Sequence, residues 1–413
     1  MKIDWKIFKS PMVKFGISLM KDINNYGYES YIVGGAVRDI VMGDFDIHDI
    51  DIATNMPIDQ IKKHFKTYDM GGEKHGTCIV HYNNFDYELT QFRTESTYSD
   101  NRHPDEVKYV NSFEEDTKRR DFTINSMGID AEGNVIDYHK GIDDIKNKKL
   151  KAVGDPYERF GEDSLRIIRA LRFASRFGLD IDKNTFNAIV KMKKSLSNLA
   201  IERIIAELRK TAEYGATKFV KLCEILDITG IGDEILPFNI DWKNVINSLK
   251  EHATQPLISS LDKDYIVVFS ILLNNVSNLK NVCKTLKLSN NDTESIIFIK
   301  KHLYDYAYLA FGDPVDSYEL VINKDFNRLR EVYHSIHGED INDANIRINK
   351  YKNLNEAHSR LSELSKAVSE QGLFGKEFGE TLKKLKIWFF NEYIKSNKPT
   401  EDDITKYLKT IKK

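Results

Sequence analysis

Strand-like runs crowd one end of this chain, and that asymmetry restricts it to an α+β architecture with a helical remainder. Tyr28 to Val33, Asp49 to Ala53, Thr77 to Tyr82, Tyr87 to Phe92 and Val107 to Val110 read as strands separated by glycine and asparagine turns, all before about residue 150. From Pro156 onward the apolar residues take helical spacing, as in Asp163 to Phe177, Ala200 to Lys210 and Thr293 to Tyr308. No proline lies between Pro314 and Pro399, which leaves room for several uninterrupted helices.

The 413 residues are 41% hydrophobic and 30% charged, enough apolar material for more than one core. The apolar stretch near Tyr265 to Leu273 is too short to cross a bilayer, and the opening MKIDWKIF lacks the apolar core of a signal peptide, so a cytoplasmic protein is expected. Cys78, Cys223 and Cys283 are scattered without paired spacing and read as small core residues, not as disulfides or a thiolate metal site. A net charge of -2 excludes a wholly electrostatic, histone-like binder but leaves room for local basic surface.

The first chemical constellation is Val33-Gly34-Gly35-Ala36-Val37-Arg38-Asp39 followed by Asp49-Ile50-Asp51-Ile52-Ala53-Thr54. It reads as strand, glycine turn, helix start and second strand. Gly34 and Gly35 let backbone N–H groups approach a triphosphate, and Arg38 can add charge-assisted hydrogen bonds. Alternation places Asp49 and Asp51 on one face of the strand. Two adjacent carboxylates suit a pair of magnesium ions at a site where a hydroxyl attacks an α-phosphate and pyrophosphate leaves. With 63 acidic residues, about nine or ten such pairs arise by chance, so the order and spacing of the whole constellation carry the argument.

Further motifs follow in order. Tyr87-Glu88-Leu89-Thr90-Gln91-Phe92-Arg93-Thr94 offers a third carboxylate at Glu88, and Lys118-Arg119-Arg120-Asp121-Phe122-Thr123-Ile124-Asn125 is a basic turn ending in polar groups. Glu162-Asp163-Ser164-Leu165-Arg166-Ile167-Ile168-Arg169-Ala170-Leu171-Arg172 is expected on a helix beginning after Pro156. There Asp163, Arg166, Arg169 and Arg172 form a polar stripe beside an apolar stripe of Leu165, Ile168 and Leu171.

Together these segments resemble the class II tRNA nucleotidyltransferases, or CCA-adding enzymes, and their relatives the bacterial poly(A) polymerases. The resemblance implies a polymerase-β-like nucleotidyltransferase head with a mixed sheet (1–150), a helical neck with the base pocket (151–215), a helical body (216–340) and a helical tail contacting tRNA (341–413). It implies that Asp49 and Asp51 hold two Mg2+ ions, that Glu88 steers a metal or takes the attacking proton, and that Gly35 and Arg38 touch the triphosphate. Arg120 would then touch the triphosphate and Asp121 read the ribose, with Asn125 of the same motif also among the nucleotide-binding residues.

Asp163 and Arg166 would meet the Watson–Crick edge of the incoming base, with Arg169 and Arg172 at the phosphates. That chemistry is coherent, because an aspartate accepts from an exocyclic amino group while an arginine donates to ring or carbonyl acceptors. Glu202, Arg203 and Glu207 in Ile201-Glu202-Arg203-Ile204-Ile205-Ala206-Glu207 read as bracing residues, with Arg203 and Glu207 facing each other one helical turn apart.

The implied reaction is addition of C, C and A to the 3′ end of tRNA from CTP and ATP. Gly72-Glu73-Lys74-His75-Gly76-Thr77 resembles the CCA-adding form, and Tyr98-Ser99-Asp100-Asn101-Arg102-His103-Pro104 resembles the loop of enzymes that complete the adenylation. A poly(A) polymerase, a CC-adding or A-adding enzyme, and an RNA-binding protein of the same fold stand as alternatives. In the tail, Gly375-Lys376-Glu377-Phe378-Gly379-Glu380-Thr381-Leu382 also resembles the family, and Lys383, Lys384 and Lys386 are candidate phosphate contacts.

Overall fold

The computed structural model describes residues 1–68, 76–95, 107–309, 313–338, 345, 348–349, 351 and 354–411. Residues 72–75 of the Gly72–Thr77 segment and the Tyr98–Pro104 segment lie outside the described residues. The chain divides into two compact units, one of Met1–Leu208 with Ile225–Ile235 and one of Arg209–Glu224 with Leu236–Lys413.

The first unit is built on β1 (Ser30–Val33), β2 (Asp51–Thr54), β3 (Lys66–Tyr68), β4 (Thr77–Tyr82), β5 (Phe85–Gln91), β8 (Gly128–Ile129) and β9 (Val135–Ile136). They form one sheet in the order β3-β4-β5-β2-β1-β8-β9. The β2–β5 pairing is parallel and the others antiparallel, so the sheet is mixed as expected. A separate hairpin joins β6 (Arg93–Glu95) to β7 (Val107–Tyr109).

Alternation along the strands decides the two faces. Ile32, Ile52, Val80 and Leu89 are buried in one cluster with Ile17, Leu19, Met20 and Ile23 of helix α1 (Pro11–Asn25). Val33, Ala53 and Phe92 point the other way and pack with Phe113 at the start of α4 (Phe113–Lys118). Asp51, one residue from Ile52, shares that second face.

Between β1 and β2 runs α2 (Gly35–Val41), and α3 (Ile58–His64) precedes β3. Helices α5 (Gly141–Lys146), α6 (Pro156–Glu162), α7 (Leu165–Phe177), α8 (Lys183–Met192) and α9 (Ile201–Ala212) follow the sheet, with a two-stranded parallel pair β10 (Lys149–Leu150) and β11 (Asp180–Ile181) among them. Asp155 caps α6 by accepting from the Tyr157 N–H at 2.8 Å, with Pro156 in the first turn. Gly178 closes α7 in the left-handed conformation, φ 65°, which a residue without Cβ adopts at least cost.

The arginine-rich motif does not lie on a single helix after Pro156: α6 ends at Glu162, Asp163 is extended, and α7 starts at Leu165. The reason is local, because the Asp163 carboxylate accepts the Leu165 N–H at 3.0 Å and so starts a new helix where the sequence suggests continuation.

The second unit is helical, with Trp242–Thr254, Tyr265–Leu272, Asn290–Ala307, Phe326–His337, Gly375–Ile394 and Glu401–Ile411 among its helices. Phe269, Tyr306, Leu329, Phe389 and Phe390 are buried in it, and Trp388 stacks on Tyr407 with centroids 4.4 Å apart. All three cysteines of the chain are buried.

Candidate active site

The carboxylates come from paired strands. Asp51 opens β2, and its register partner on the parallel strand β5 is Glu88, so the two stand side by side on one face. Asp49 falls just ahead of the strand and is exposed, as is Glu88. The Asp51 carboxyl is pushed up to about 6 by burial, then by the negative charges of Asp49 and Glu88, against a smaller opposing pull from Arg120. A carboxylate so crowded by others is short of positive charge, although among the described residues no three His, Cys, Asp or Glu side chains stand close enough together to hold a metal ion.

Beside Asp51 lies a cleft of about 520 Å³, a size suited to a small ligand. Its walls carry Gly34, Gly35, Arg38, Arg120, Asp121, Asn125, Asp163, Arg166, Arg169 and Arg172 of the residues expected from sequence. Arg119, Phe173, Arg176 and Arg203 line it too. Asp49 and Glu88 flank Asp51 outside this lining.

Gly34 turns the chain from β1 into α2 at φ +70°, and a Cβ there would stand 3.5 Å from Asp51 Oδ2. The turn therefore brings backbone beside the carboxylate, at a positive φ that a residue without Cβ adopts most readily. One turn on, the Arg38 guanidinium is buried against the Phe177 ring, 4.5 Å from its centroid. Its Nε donates to Asp39 at 2.8 Å and its Nη1 to the Asn125 side-chain oxygen at 2.9 Å. Burial pulls the Arg38 guanidinium below its ordinary value, opposed by the charge and hydrogen bond of Asp39.

Asn125 carries the chain of bonds onward by donating to Asp121 Oδ1 at 3.1 Å, and Asp121 Oδ2 accepts Arg169 Nε and Nη2 at 2.9 and 2.6 Å. Asp121 Oδ1 also accepts the Phe122 N–H at 2.8 Å, so four donors meet its four acceptor positions. Burial raises the Asp121 carboxyl, but Arg169, Asn125 and Arg166 outweigh it and hold the group below the usual carboxylate range.

At the start of α7, Arg166 Nη1 donates to Glu162 Oε2 at 2.5 Å and to the Arg159 carbonyl at 3.0 Å, while Nη2 donates to the Arg119 carbonyl at 2.9 Å. Arg159 also pairs with Glu162. Asp163 Oδ2 accepts Arg203 Nη2 at 3.0 Å, and Arg172 Nε donates to Glu207 at 2.5 Å in a pair almost closed to solvent. Arg203 and Glu207 were expected to face each other along α9; the structure instead sends each to a residue of the arginine motif.

Two cleft residues could have been read from spacing. Arg176 continues the stripe four residues after Arg172, and Phe173 supplies the ring over which Arg172 lies at 4.2 Å. Arg203 was read as a brace, and only the tertiary contact to Asp163 reveals it as a wall of the cleft.

Residues 30–151 match the family described as Poly A polymerase head domain, and residues 178–238 match the one described as "Probable RNA and SrmB- binding site of polymerase A". With the carboxylate-bearing sheet and the cationic cleft, the class of protein is a nucleotidyltransferase. The CCA-adding enzyme of Ligilactobacillus salivarius is 41% identical over 296 residues, covering 69% of this chain and 69% of that one. That of Enterococcus faecalis is 48% identical over 193 residues, 46% of this chain and 47% of the relative, so this match spans about half of its length.

The crystal structure of the Bacillus stearothermophilus CCA-adding enzyme in complex with CTP superposes with a TM-score of 0.72 at 25% identity, covering 98% of each chain. The Thermotoga maritima CCA-adding enzyme complexed with tRNA shares the fold, with a TM-score of 0.70 at 18% identity over 100% of this chain and 97% of that one. The chain belongs to the family of CCA-adding enzymes. Nucleotidyltransferases of this family generally use divalent metal ions.

Proposed function

We propose that this protein adds C, C and A to the 3′ end of tRNA, taking CTP twice and ATP once and releasing pyrophosphate at each step. The observation that carries the reading is the pairing of Asp51 with Glu88 across β2 and β5, at the edge of a cleft walled by arginines. Two Mg2+ ions held by Asp49 and Asp51 would stabilise the entering and leaving oxygens of the displacement. Glu88, beside Asp51, steers that site or receives the proton of the attacking 3′-hydroxyl.

The protein's own groups do the remaining work. Gly34 and Gly35 bring backbone N–H groups to the triphosphate, and Arg38, Arg120, Arg169 and Arg172 supply positive charge for its oxygens. The ribose hydroxyl meets Asp121 by taking the place of the Asn125 amide, the weakest held of its donors at 3.1 Å. Asp163 and Arg166 read the base edge, their orientations fixed by Arg203 and Glu162.

Lys383 and Lys384, exposed on the helix Gly375–Ile394, and Lys386 are proposed to meet the tRNA backbone. A cytoplasmic site of action accompanies this substrate; separately, among the described residues no helix is long and apolar enough to cross a membrane. The chain then runs as a head (1–150), a neck (151–215), a body (216–340) and a tail (341–413).

The test is pyrophosphate release with a tRNA ending at the discriminator base, Mg2+ and CTP or ATP, for the wild-type chain and Asp49→Ala. Turnover in the wild type and loss of about a thousandfold or more in the variant, with the circular dichroism spectrum unchanged, is expected. Equal turnover in both would overturn the assignment of the metal site.

A further inference from the structure

Asp116, in α4, is wholly buried and does not line the cleft, yet it holds two residues that do. Its Oδ2 accepts Arg120 Nη2 at 2.9 Å and Nε at 3.2 Å, and its Oδ1 accepts Arg119 Nη2 at 2.8 Å and Nε at 3.0 Å. The same Oδ1 accepts the Arg93 N–H of β6 at 3.2 Å. Five donors on one carboxylate exceed the usual four lone-pair positions, so neither oxygen has capacity for a ligand.

Glu95 completes the cluster, accepting Arg119 Nη1 at 3.1 Å and Arg93 Nε at 2.9 Å, while Arg119 Nε also donates to the Arg93 carbonyl at 3.1 Å. Arg119 and Arg93 are each met by Glu95, and the charge of Arg120 also reaches Asp51. Among the described residues, Arg120 Nη1 has no hydrogen-bond partner. Arg120 is thereby gripped from behind with a donor left over.

We propose that Asp116 is a positioning residue for the incoming nucleotide, holding Arg120 and Arg119 so that the donors remaining on Arg120 face the phosphates. The proposal rests on the nucleotidyl-transfer reading above. A long arginine side chain loses considerable rotamer freedom when it binds a phosphate, and a buried clamp removes that loss beforehand. Arg119 and Arg120 in turn hold the Asp116 carboxyl below the usual range although burial acts to raise it, which favours the charged form of the clamp.

The experiment uses the full chain with Asp116→Asn, Arg120→Gln and the double variant, measuring kcat, KM for CTP and ATP, KM for tRNA, and the melting temperature. Asp116→Asn is expected to raise KM for both nucleotides about tenfold, on the scale of one immobilised side chain, with kcat within about twofold and KM for tRNA unchanged. In the Arg120→Gln background the same change is expected to add little, because the clamp then has nothing to aim.

An unchanged nucleotide KM with a lowered melting temperature would overturn the proposal, as would additive effects or a failure of Asp116→Asn to fold, since each makes Asp116 a prop of the fold alone. If the wild type adds no nucleotide, the functional reading fails separately, and CTP binding by calorimetry to the same variants still decides whether Asp116 positions Arg120.

Discussion

Asp121 receives Arg169 side-on, accepting Nε at 2.9 Å and Nη2 at 2.6 Å, and so joins the loop after α4 to the middle of α7. The folded Asp121 carboxyl titrates below its unfolded value. Its contribution to stability is therefore complete above the unfolded carboxylate value near 3.8 and is lost only as pH falls through the lower folded value. Asp121→Asn leaves Arg169 without its charge partner and is expected to cost about 3–5 kcal/mol at pH 7, with a smaller penalty near pH 3. Chemical denaturation at the two pH values checks this; an equal penalty at both would contradict it.

Asp51 has the opposite sign. Its folded carboxyl lies at about 6, above the ordinary 3.8, so the metal-free protein gains stability as pH falls from above 6 toward 4. Asp51→Asn removes a charge that burial and two neighbouring carboxylates oppose. In the presence of a chelator at pH 7.5 the variant is expected to melt at a higher temperature than the wild type while failing to incorporate nucleotide. A lower melting temperature would show that the cluster is not strained.

The pairing of Arg172 with Glu207, side chains 6% and 5% exposed, joins α7 to α9. Glu207→Ala strands a buried guanidinium and is expected to cost about 3–5 kcal/mol in urea unfolding. Glu370→Ala, which breaks the exposed contact to Lys366 at 4.0 Å, is expected to cost less than about 1 kcal/mol. Similar penalties for the two would refute the burial argument.

Gly34 sits at φ +70° with its missing side chain directed at Asp51. Gly34→Ala is expected to cost about 1–3 kcal/mol of stability from the positive-φ backbone alone. The fall in kcat/KM should be greater than tenfold, since that strain falls on the turn that sets backbone beside Asp51. Full activity in this variant would show that the close approach is unnecessary.

Much of this was legible before any coordinates, because backbone periodicity and motif order are local properties. The strand at Thr77–Tyr82 falls where alternation puts it, and Gly34, Arg38, Asp121, Asn125, Asp163, Arg166, Arg169 and Arg172 converge on one cleft. The break at Asp163 was hidden because a side chain capping the Leu165 N–H leaves no mark in apolar spacing. Arg203 and Asp116 were missed for a related reason: their partners are distant in sequence or set by burial, and an arginine on a helix face looks alike whether it meets water or a carboxylate.

The most direct test of the central claim is to sequence the tRNA 3′ ends produced by the purified protein with Mg2+ and CTP, ATP or both. Two cytidines from CTP alone and a stop at CCA with both nucleotides is the predicted result. A long adenosine tail, or addition of A only to a tRNA already ending in CC, would contradict it.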